Sequence, residues 1–335
     1  MKVSVVGSGS WGTALALLLL ENGSDVTMWS YSQDGFNIMK RTGENPMLKG
    51  VPLPADLKLT TDLTCVKGCK AVVLATPSFA VRETAHQMAP MLDSGTVVVL
   101  VSKGIEKDTS LTLTQVAEQE VGPKCPVVAL CGPSHAEEVG RGVPTAVVSA
   151  SADRGAAELV QDLFMNDRFR VYASDDVIGV EMGAAFKNVI ALCAGCIDGM
   201  GYGDNTKAML MTRGLSEIAR LVVAMGGKRE TVAGLAGVGD LIVTCCSMHS
   251  RNRRCGILIG QGTPVEQALK EAGGVVEGYF AAANAKNLAD KLGVEMPISQ
   301  AAYEVLYENK DPRTVIHELM AREKKYEIEK SWVNH

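Results

Sequence analysis

Three glycines at fixed spacing divide a β-branched run from an apolar one near the start of the chain, and few folds accept that order. Val3, Val5 and Val6 make a strand, Gly7-Ser8-Gly9-Ser10-Trp11-Gly12 makes a turn, and Thr13 to Glu21 fill a helix closed by Asn22-Gly23. Each glycine has its own physical use. Gly7 permits the tight turn, Gly9 lacks the Cβ that would obstruct a pyrophosphate, and Gly12 lets helix and strand approach. Unpaired N–H groups in the helix's first turn, aligned with its dipole, suit a diphosphate. The spacing alone is weak evidence. With a strand before it, a helix after it and a second strand at Val26 to Trp29, it meets the contextual requirement for dinucleotide binding.

The same alternation continues through the first half. A polar helix runs to about Arg41, Ala71 to Ala75 and Val97 to Val101 read as strands buried on both faces, and Val127 to Leu130 and Ala146 to Ser149 extend the series. Helices are expected at 78–89 and 153–164. Strand, crossover and parallel strand repeat, so this part is α/β and doubly wound. From about residue 175 helical patterns follow one another at Val177 to Ile197, Thr206 to Met225, Gly278 to Leu292 and Ile298 to Tyr307. Gly199, Gly226-Gly227, Gly273-Gly274, Pro297 and Pro312 mark the breaks. The expected division is 1–175 for a dinucleotide-binding domain and 176–335 for a helical domain carrying substrate and catalytic groups. The Glu- and Lys-rich stretch Arg322 to Lys330 reads as a solvated helix or tail.

A formal net charge of −5 provides no general basic field for nucleic acid or anionic lipid, so any anion site must be local. The nine cysteines are scattered. Cys193 and Cys196 form a CxxC inside a helical stretch with no second pair nearby, which reads as buried small side chains rather than zinc, and no metal site is expected. Free thiols without secretory features point to the cytoplasm. Gly7, Gly9 and Gly12 interrupt the apolar start, no cleavage motif follows Leu20, and the run is short of the roughly 20 residues a membrane span needs.

No Asp or Glu closes the second strand, which disfavours strict NAD use, and no basic residue stands beside it to meet a 2′-phosphate. Lys40 or Arg41 would have to reach back from the following helix. Trp29 either flanks adenine or packs at the strand's end. Lys103 and the loop Gly132 to Glu138, with Ser134, follow strand ends, where open α/β sheets bind ligands. Lys187 is the anomaly of an otherwise apolar helix, Glu181 to Leu192; it either snorkels out or faces a cleft, where burial would tune it for proton transfer. Asp240 sits in a glycine-rich bend. Ser250, Arg251, Asn252, Arg253 and Arg254 gather donors that suit a small phosphate, or form a solvated positive helix start.

Seven blocks in order give the chain a resemblance along nearly its whole length: VVGSGSWGTALA, VSKGIE, CGPSHAEEV, FKNVIALCAGCIDGMGYGDNTKAMLMTRGLSE, GLAGVGDLIVTC, SRNRRCG and VVEGYF. It resembles the bacterial-type NAD(P)-dependent glycerol-3-phosphate dehydrogenases. The resemblance implies a Rossmann-type domain followed by an all-helical one, and reversible reduction of dihydroxyacetone phosphate to sn-glycerol 3-phosphate for glycerophospholipid synthesis. It implies Lys187 as general acid–base, with Lys103, Gly132, Ser134, Asp240, Ser250, Arg251 and Asn252 around the substrate. Around NADP or NAD it implies Gly7, Gly9, Ser10, Trp11, Gly12, Tyr31, Lys103, Ala136, Arg251, Val275 and Glu277. Tyr31 stands where a basic residue is common, so use of both nucleotides is expected, with a lean toward NADPH. A homodimer is compatible with this reading.

Overall fold

The computed structural model describes residues 1–107, 109–324, 326 and 327. Strand β1 (Lys2–Val6) is buried from Val3 onward, as an unbroken apolar run between two neighbours should be. With β2 (Asp25–Trp29), β3 (Lys58–Thr60), β4 (Ala71–Leu74), β5 (Val97–Leu100), β6 (Val127–Cys131), β7 (Thr145–Ala150) and β8 (Phe169–Ser174) it forms one sheet. The order is β3-β2-β1-β4-β5-β6-β7-β8. Strand order reverses between β1 and β4, and a crevice at the carboxyl ends of those strands is where such sheets take ligands. The helices of this part are α1 (Ser10–Glu21), α2 (Gln33–Thr42), α3 (Val81–Met88), α4 (Leu113–Val121), α5 (Ala136–Val139) and α6 (Arg154–Phe164).

One expectation is corrected. β6 and β7 pair antiparallel, while β7 and β8 pair parallel to each other, so the sheet is mixed. Between β6 and β7 the chain has only the one-turn α5, about 6 Å of helix, which is too short to carry it back along a strand. The loop Gly132 to His135 therefore stays at the sheet's carboxyl edge. Edge strands β3 and β8 and helix α4 were not read from the sequence. β3 has three residues and two polar ends, whereas β8 alternates buried Phe169 and Val171 with exposed Arg170 and Tyr172. α4 carries a reciprocal capping box between Thr112 and Gln115.

From Val177 the chain is helical: α7 (Val177–Gly199), α8 (Asp204–Ala224), α9 (Arg229–Val232), α10 (Asp240–Cys246), α11 (Arg251–Gly260), α12 (Val265–Glu271), α13 (Glu277–Leu292), α14 (Pro297–Tyr307) and α15 (Pro312–Met320). Pro297 and Pro312, read as breaks, open helices at the position where a missing N–H is harmless. α7 is apolar all round because it is the axis of this part, buried without interruption from Gly179 to Leu192. By length and composition it is the one helix among the described residues that would cross a membrane unaided, yet 83% of its most apolar stretch is buried inside the chain. A Cβ on Gly195 would strike the Arg253 carbonyl, and one on Gly256 the Leu192 carbonyl, so α11 lies backbone against backbone on α7. That approach fixes the start of α11 beside the middle of α7. Of the 322–330 stretch, residues 325 and 328–330 lie outside the described residues, and the others form no helix.

Sheet and helices share a seam. Ile105, from the loop after β5, belongs to the helical core, and Ala129, Cys131 and Ala150 pack with Val180, Ala184 and Ala236. The buried Glu181 carboxylate accepts from the Thr114 N–H at 3.0 Å and from its hydroxyl, tying α7 to the start of α4. The carboxyl edge of the sheet thereby faces the midpoint of α7.

Candidate active site

The glycine-rich turn follows from backbone geometry. Gly7 has φ +124°, and a Cβ there would lie 2.5 Å from the Ala75 carbonyl oxygen; one on Gly12 would collide with the Gly7 carbonyl. Gly9 differs from both, since a Cβ would meet nothing within 4 Å. The space beside Gly9 is open. α1 begins there without a side-chain cap, which leaves its first-turn N–H groups to an anion. These features fit a dinucleotide diphosphate. Asn45, 2% exposed, holds the turn by donating to the Ser8 carbonyl at 2.9 Å and to the Thr13 hydroxyl at 2.6 Å.

Across the crevice, α7 carries Lys187 inward, 4% exposed. Its ammonium donates to Asp240 Oδ1 at 2.6 Å and to the Thr244 hydroxyl. Lys103, from the loop after β5, donates to the other oxygen, Asp240 Oδ2, at 2.8 Å and to the Gly132 carbonyl at 2.9 Å. One carboxylate thus bridges two lysines from opposite sides of the seam. Burial pulls the Lys187 ammonium down to about 8, with the Asp240 charge opposing the fall and Lys103 adding to it. A lysine tuned there holds and releases protons near neutral pH.

Three buried side-chain polar atoms lack a partner among the described residues: Trp11 Nε1, Thr76 Oγ1 and His135 Nε2. Trp11 is in the first turn of α1, after β1, and Thr76 and His135 are in the loops after β4 and β6. Unpaired buried polar atoms are costly and uncommon, and three on one edge of the sheet mark where a ligand completes the structure.

Residues 2–157 match the family described as NAD-dependent glycerol-3-phosphate dehydrogenase N-terminus, and residues 176–317 match the C-terminus of the same enzyme. The chain belongs to the NAD-dependent glycerol-3-phosphate dehydrogenase family. It is 52% identical over 330 residues to glycerol-3-phosphate dehydrogenase [NAD(P)+] of Moorella thermoacetica, covering 98% of each chain. It is 51% identical over 329 residues to the Desulfitobacterium hafniense protein of the same description, covering 98% of this chain and 93% of that one. A crystal structure of glycerol-3-phosphate dehydrogenase from Coxiella burnetii superposes with a TM-score of 0.92 at 39% identity, covering 96% of this chain and 99% of that one.

Within this family member, Lys103, Gly132, Lys187 and Asp240 form one hydrogen-bonded group, to which Ser134 is joined through the Gly132 carbonyl. Gly7 to Gly12, Lys103, Gly132, Ser134 and Ala136 stand at the sheet's edge, and Lys187, Asp240, Ser250 and Asn252 on the helical side. Asp240 is not in a bend: Leu235–Gly239 is a single π-helical turn that runs into α10, with Asp240 as that helix's first residue. A Cβ on Gly237 would strike the Val232 carbonyl, so the glycines serve packing. The arginine cluster divides. Arg253 pairs with Asp198 at 2.8 Å and donates to the Cys246 carbonyl, and Arg254 donates to the Met248 and Ala272 carbonyls. Arg251 is exposed, makes no hydrogen bond among the described residues, and extends past Gly274 toward Glu277.

Some of these groups are partly engaged. Asn252 donates to Asn188 Oδ1 at 2.9 Å and accepts from the Gly278 N–H at 2.8 Å, which joins α7, α11 and α13 and leaves one amide N–H. Ser250 caps α11 by accepting from the Arg253 N–H, leaving its hydroxyl proton to donate. Both Glu277 oxygens lie 2.9 Å from the Ser78 hydroxyl, so the start of α13, next to Val275, is latched to the loop after β4. Tyr31 is 89% exposed, with its ring edge toward Trp29. Trp29 itself is a packing residue, buried and donating to the Thr61 carbonyl at 3.0 Å. Lys40 and Arg41 lie in the last turn of α2, and the Lys40 ammonium is 5.9 Å above Phe36. Neither stands by the second strand's end.

Thr244 escaped the sequence reading although it lies four residues after Asp240, on the same face of α10. Reading 240–246 as helix would have exposed the pair. Asn45 and the Ser78–Glu277 contact carry no local signal.

Proposed function

We propose that the chain interconverts dihydroxyacetone phosphate and sn-glycerol 3-phosphate with NADPH or NADH, with Lys187 as the proton-transfer group. The observation that carries this reading is the buried Lys187–Asp240–Lys103 chain, whose Lys103 follows a strand of the same sheet that carries the glycine-rich turn. When bound, a nicotinamide dinucleotide would supply or accept the hydride at the central carbon. Lys187, as ammonium, gives its proton to the carbonyl oxygen in reduction, and as amine takes the hydroxyl proton in oxidation. Lys103 places a second positive charge where that oxygen becomes negative. Asp240 holds both ammonium groups in position and is itself acceptor-only.

Arg251, the Ser250 hydroxyl and the remaining Asn252 N–H offer donors for the phosphate, and binding there positions the reacting carbon. Gly132 and Ser134 form the opposite wall. Gly7, Gly9, Ser10, Trp11, Gly12 and Ala136 would cradle the dinucleotide, with Tyr31 at its adenosine end and Arg251, Val275 and Glu277 closing over it. The domain division at 175/176, cytoplasmic placement, supply of glycerophospholipid backbone and a homodimeric assembly complete the reading; light scattering on the purified chain tests the last.

Purified protein should lose nicotinamide absorbance when dihydroxyacetone phosphate is added to NADPH or NADH, and should ignore a panel of unphosphorylated hydroxy acids in the reverse direction. Folded protein inactive with both nucleotides would sink the assignment. Arg251→Ala should chiefly raise KM for the triose phosphate, with a smaller fall in kcat because the anchor also orients the carbonyl. An unchanged KM removes Arg251 from the phosphate site.

Both nucleotides should be used. Neither a carboxylate nor a cation flanks the second strand's end, and Tyr31 provides at most one neutral hydrogen bond there. The ratio of kcat/KM for NADPH and NADH at saturating dihydroxyacetone phosphate should stay within about a thousandfold, roughly 4 kcal/mol. A larger ratio would reveal a ribose contact outside this set.

A further inference from the structure

A triose phosphate presents three polar parts, and the site so far accounts for two. Phosphate and carbonyl oxygens only accept, and Lys187, Lys103, Arg251, Ser250 and Asn252 are donors. The third part is the free hydroxymethyl group, which both donates and accepts. The carboxylate, carbonyl and amide acceptors around the lysines are already engaged, and the Ser134 hydroxyl has spent its proton on Gly132 O and can only accept. Asp240 receives one lysine on each oxygen, Gly132 O receives Lys103 and the Ser134 hydroxyl, and Asn188 Oδ1 receives Asn252. His135 Nε2, on the loop that also carries Gly132 and Ser134, is buried with no hydrogen-bond partner among the described residues.

We propose that His135 binds the free hydroxymethyl group of the triose phosphate and so sets the enzyme's preference for a substrate carrying that hydroxyl. The inference rests on the function proposed above. His135 follows Ser134 and immediately precedes α5. Its ring centroid lies 5.7 Å from that of His249, the neighbour of Ser250, so the imidazole bridges the loop after β6 and the start of α11. The Val243 carbonyl of α10 stands beside the ring. Burial, followed by the positive charges of Lys187 and Lys103, keeps the imidazole neutral. A neutral imidazole has one donor and one acceptor nitrogen, and a hydroxyl satisfies either at Nε2, whereas a phosphate or carbonyl oxygen satisfies only a donor. Arg251, Ser250 and Asn252 take the phosphate oxygens and the two lysines take the carbonyl oxygen, which leaves the hydroxymethyl end for His135.

The test compares dihydroxyacetone phosphate with its deoxy analogue hydroxyacetone phosphate, in which a methyl group replaces the hydroxymethyl. The wild-type chain should prefer the former by about tenfold or more in kcat/KM, since the analogue leaves a buried polar atom unpaired. His135→Phe retains a ring and removes the polar atom. It should lower kcat/KM for dihydroxyacetone phosphate by about tenfold and leave that for the analogue nearly unchanged. His135→Gln, with a polar tip, should recover part of the preference. Both constants come from one preparation, so an inactive fraction cancels from the ratio. An equal loss on both substrates, or an unaltered ratio, would overturn the role of His135. If the phenylalanine variant fails to fold, the wild-type ratio and His135→Gln decide: a wild-type value near one overturns the proposal, and a strong preference that weakens in His135→Gln but not in a control at the exposed His317, His317→Gln, supports it. Absence of any turnover of dihydroxyacetone phosphate by the wild type would instead defeat the function on which the proposal rests.

Discussion

Lys187→Ala is expected to lower kcat for triose phosphate reduction by roughly 10²–10⁴-fold, the scale of a positioned proton-transfer group, while nucleotide affinity largely survives. The ammonium is buried and has two partners, Asp240 and Thr244, both on α10. Removing it leaves Asp240 paired with Lys103, so the fold keeps one ion pair at the seam. Lys187→Met fills most of the same volume and should lose as much activity as the alanine variant. That equality separates lost chemistry from lost packing. The wild-type pH profile provides a second check. With Lys187 near 8, reduction needs the ammonium and should decline as pH rises through that value, whereas oxidation needs the amine and should increase over the same range. Near-normal kcat in both variants, or limbs of the same sign in both directions, would remove Lys187 from the proton transfer.

Local patterns made much of this legible in the sequence. The glycine spacing after β1 specifies a backbone shape, and the structure gives each glycine a distinct constraint: positive φ at Gly7, open space at Gly9 and close approach at Gly12. Lys187 stands out because one cation interrupts an apolar helix, where it either snorkels out or faces a cleft. Its burial and its pairing with Asp240 exclude snorkelling. Contacts between distant segments were illegible. Nothing near Arg253 signals that Asp198 takes its guanidinium and leaves Arg251 exposed, because 55 residues and a helix crossing separate the pair. The Ser78–Glu277 latch spans 199 residues. The antiparallel β7 was misread for a more local reason: 13 residues suffice for a crossover by length, and only the one-turn extent of α5 rules it out. Gly237 and Gly239 suggest a bend at Asp240 in the sequence, whereas Gly237 lets a π turn pack against the Val232 carbonyl of α9.

Asp240→Asn should be nearly as damaging as loss of Lys187, by a different route. Asp240 is 1% exposed and each of its oxygens receives an ammonium group. An asparagine offers one oxygen and turns two N–H donors toward cations that need acceptors. The two ammonium groups, now held on opposite oxygens of one carboxylate, would then face each other uncompensated. At an effective dielectric near 20, two unit charges about 5 Å apart repel by about 3 kcal/mol. Breaking a buried pair from one side costs about 3–5 kcal/mol of stability, so a lower denaturation midpoint is expected beside the catalytic loss. The diagnostic result is the pH profile of the protein that remains folded. Asp240 opposes the fall in the Lys187 pKa, and its removal leaves burial and Lys103 pushing the same way. The limb on which reduction declines should therefore move to lower pH, by about one unit or more. At pH 7 the variant would hold less of its Lys187 as ammonium, and reduction should suffer more than oxidation. A uniform loss at every pH, with the limb still near 8, would mean that Asp240 serves only to hold the seam together and that something else sets the lysine's proton affinity.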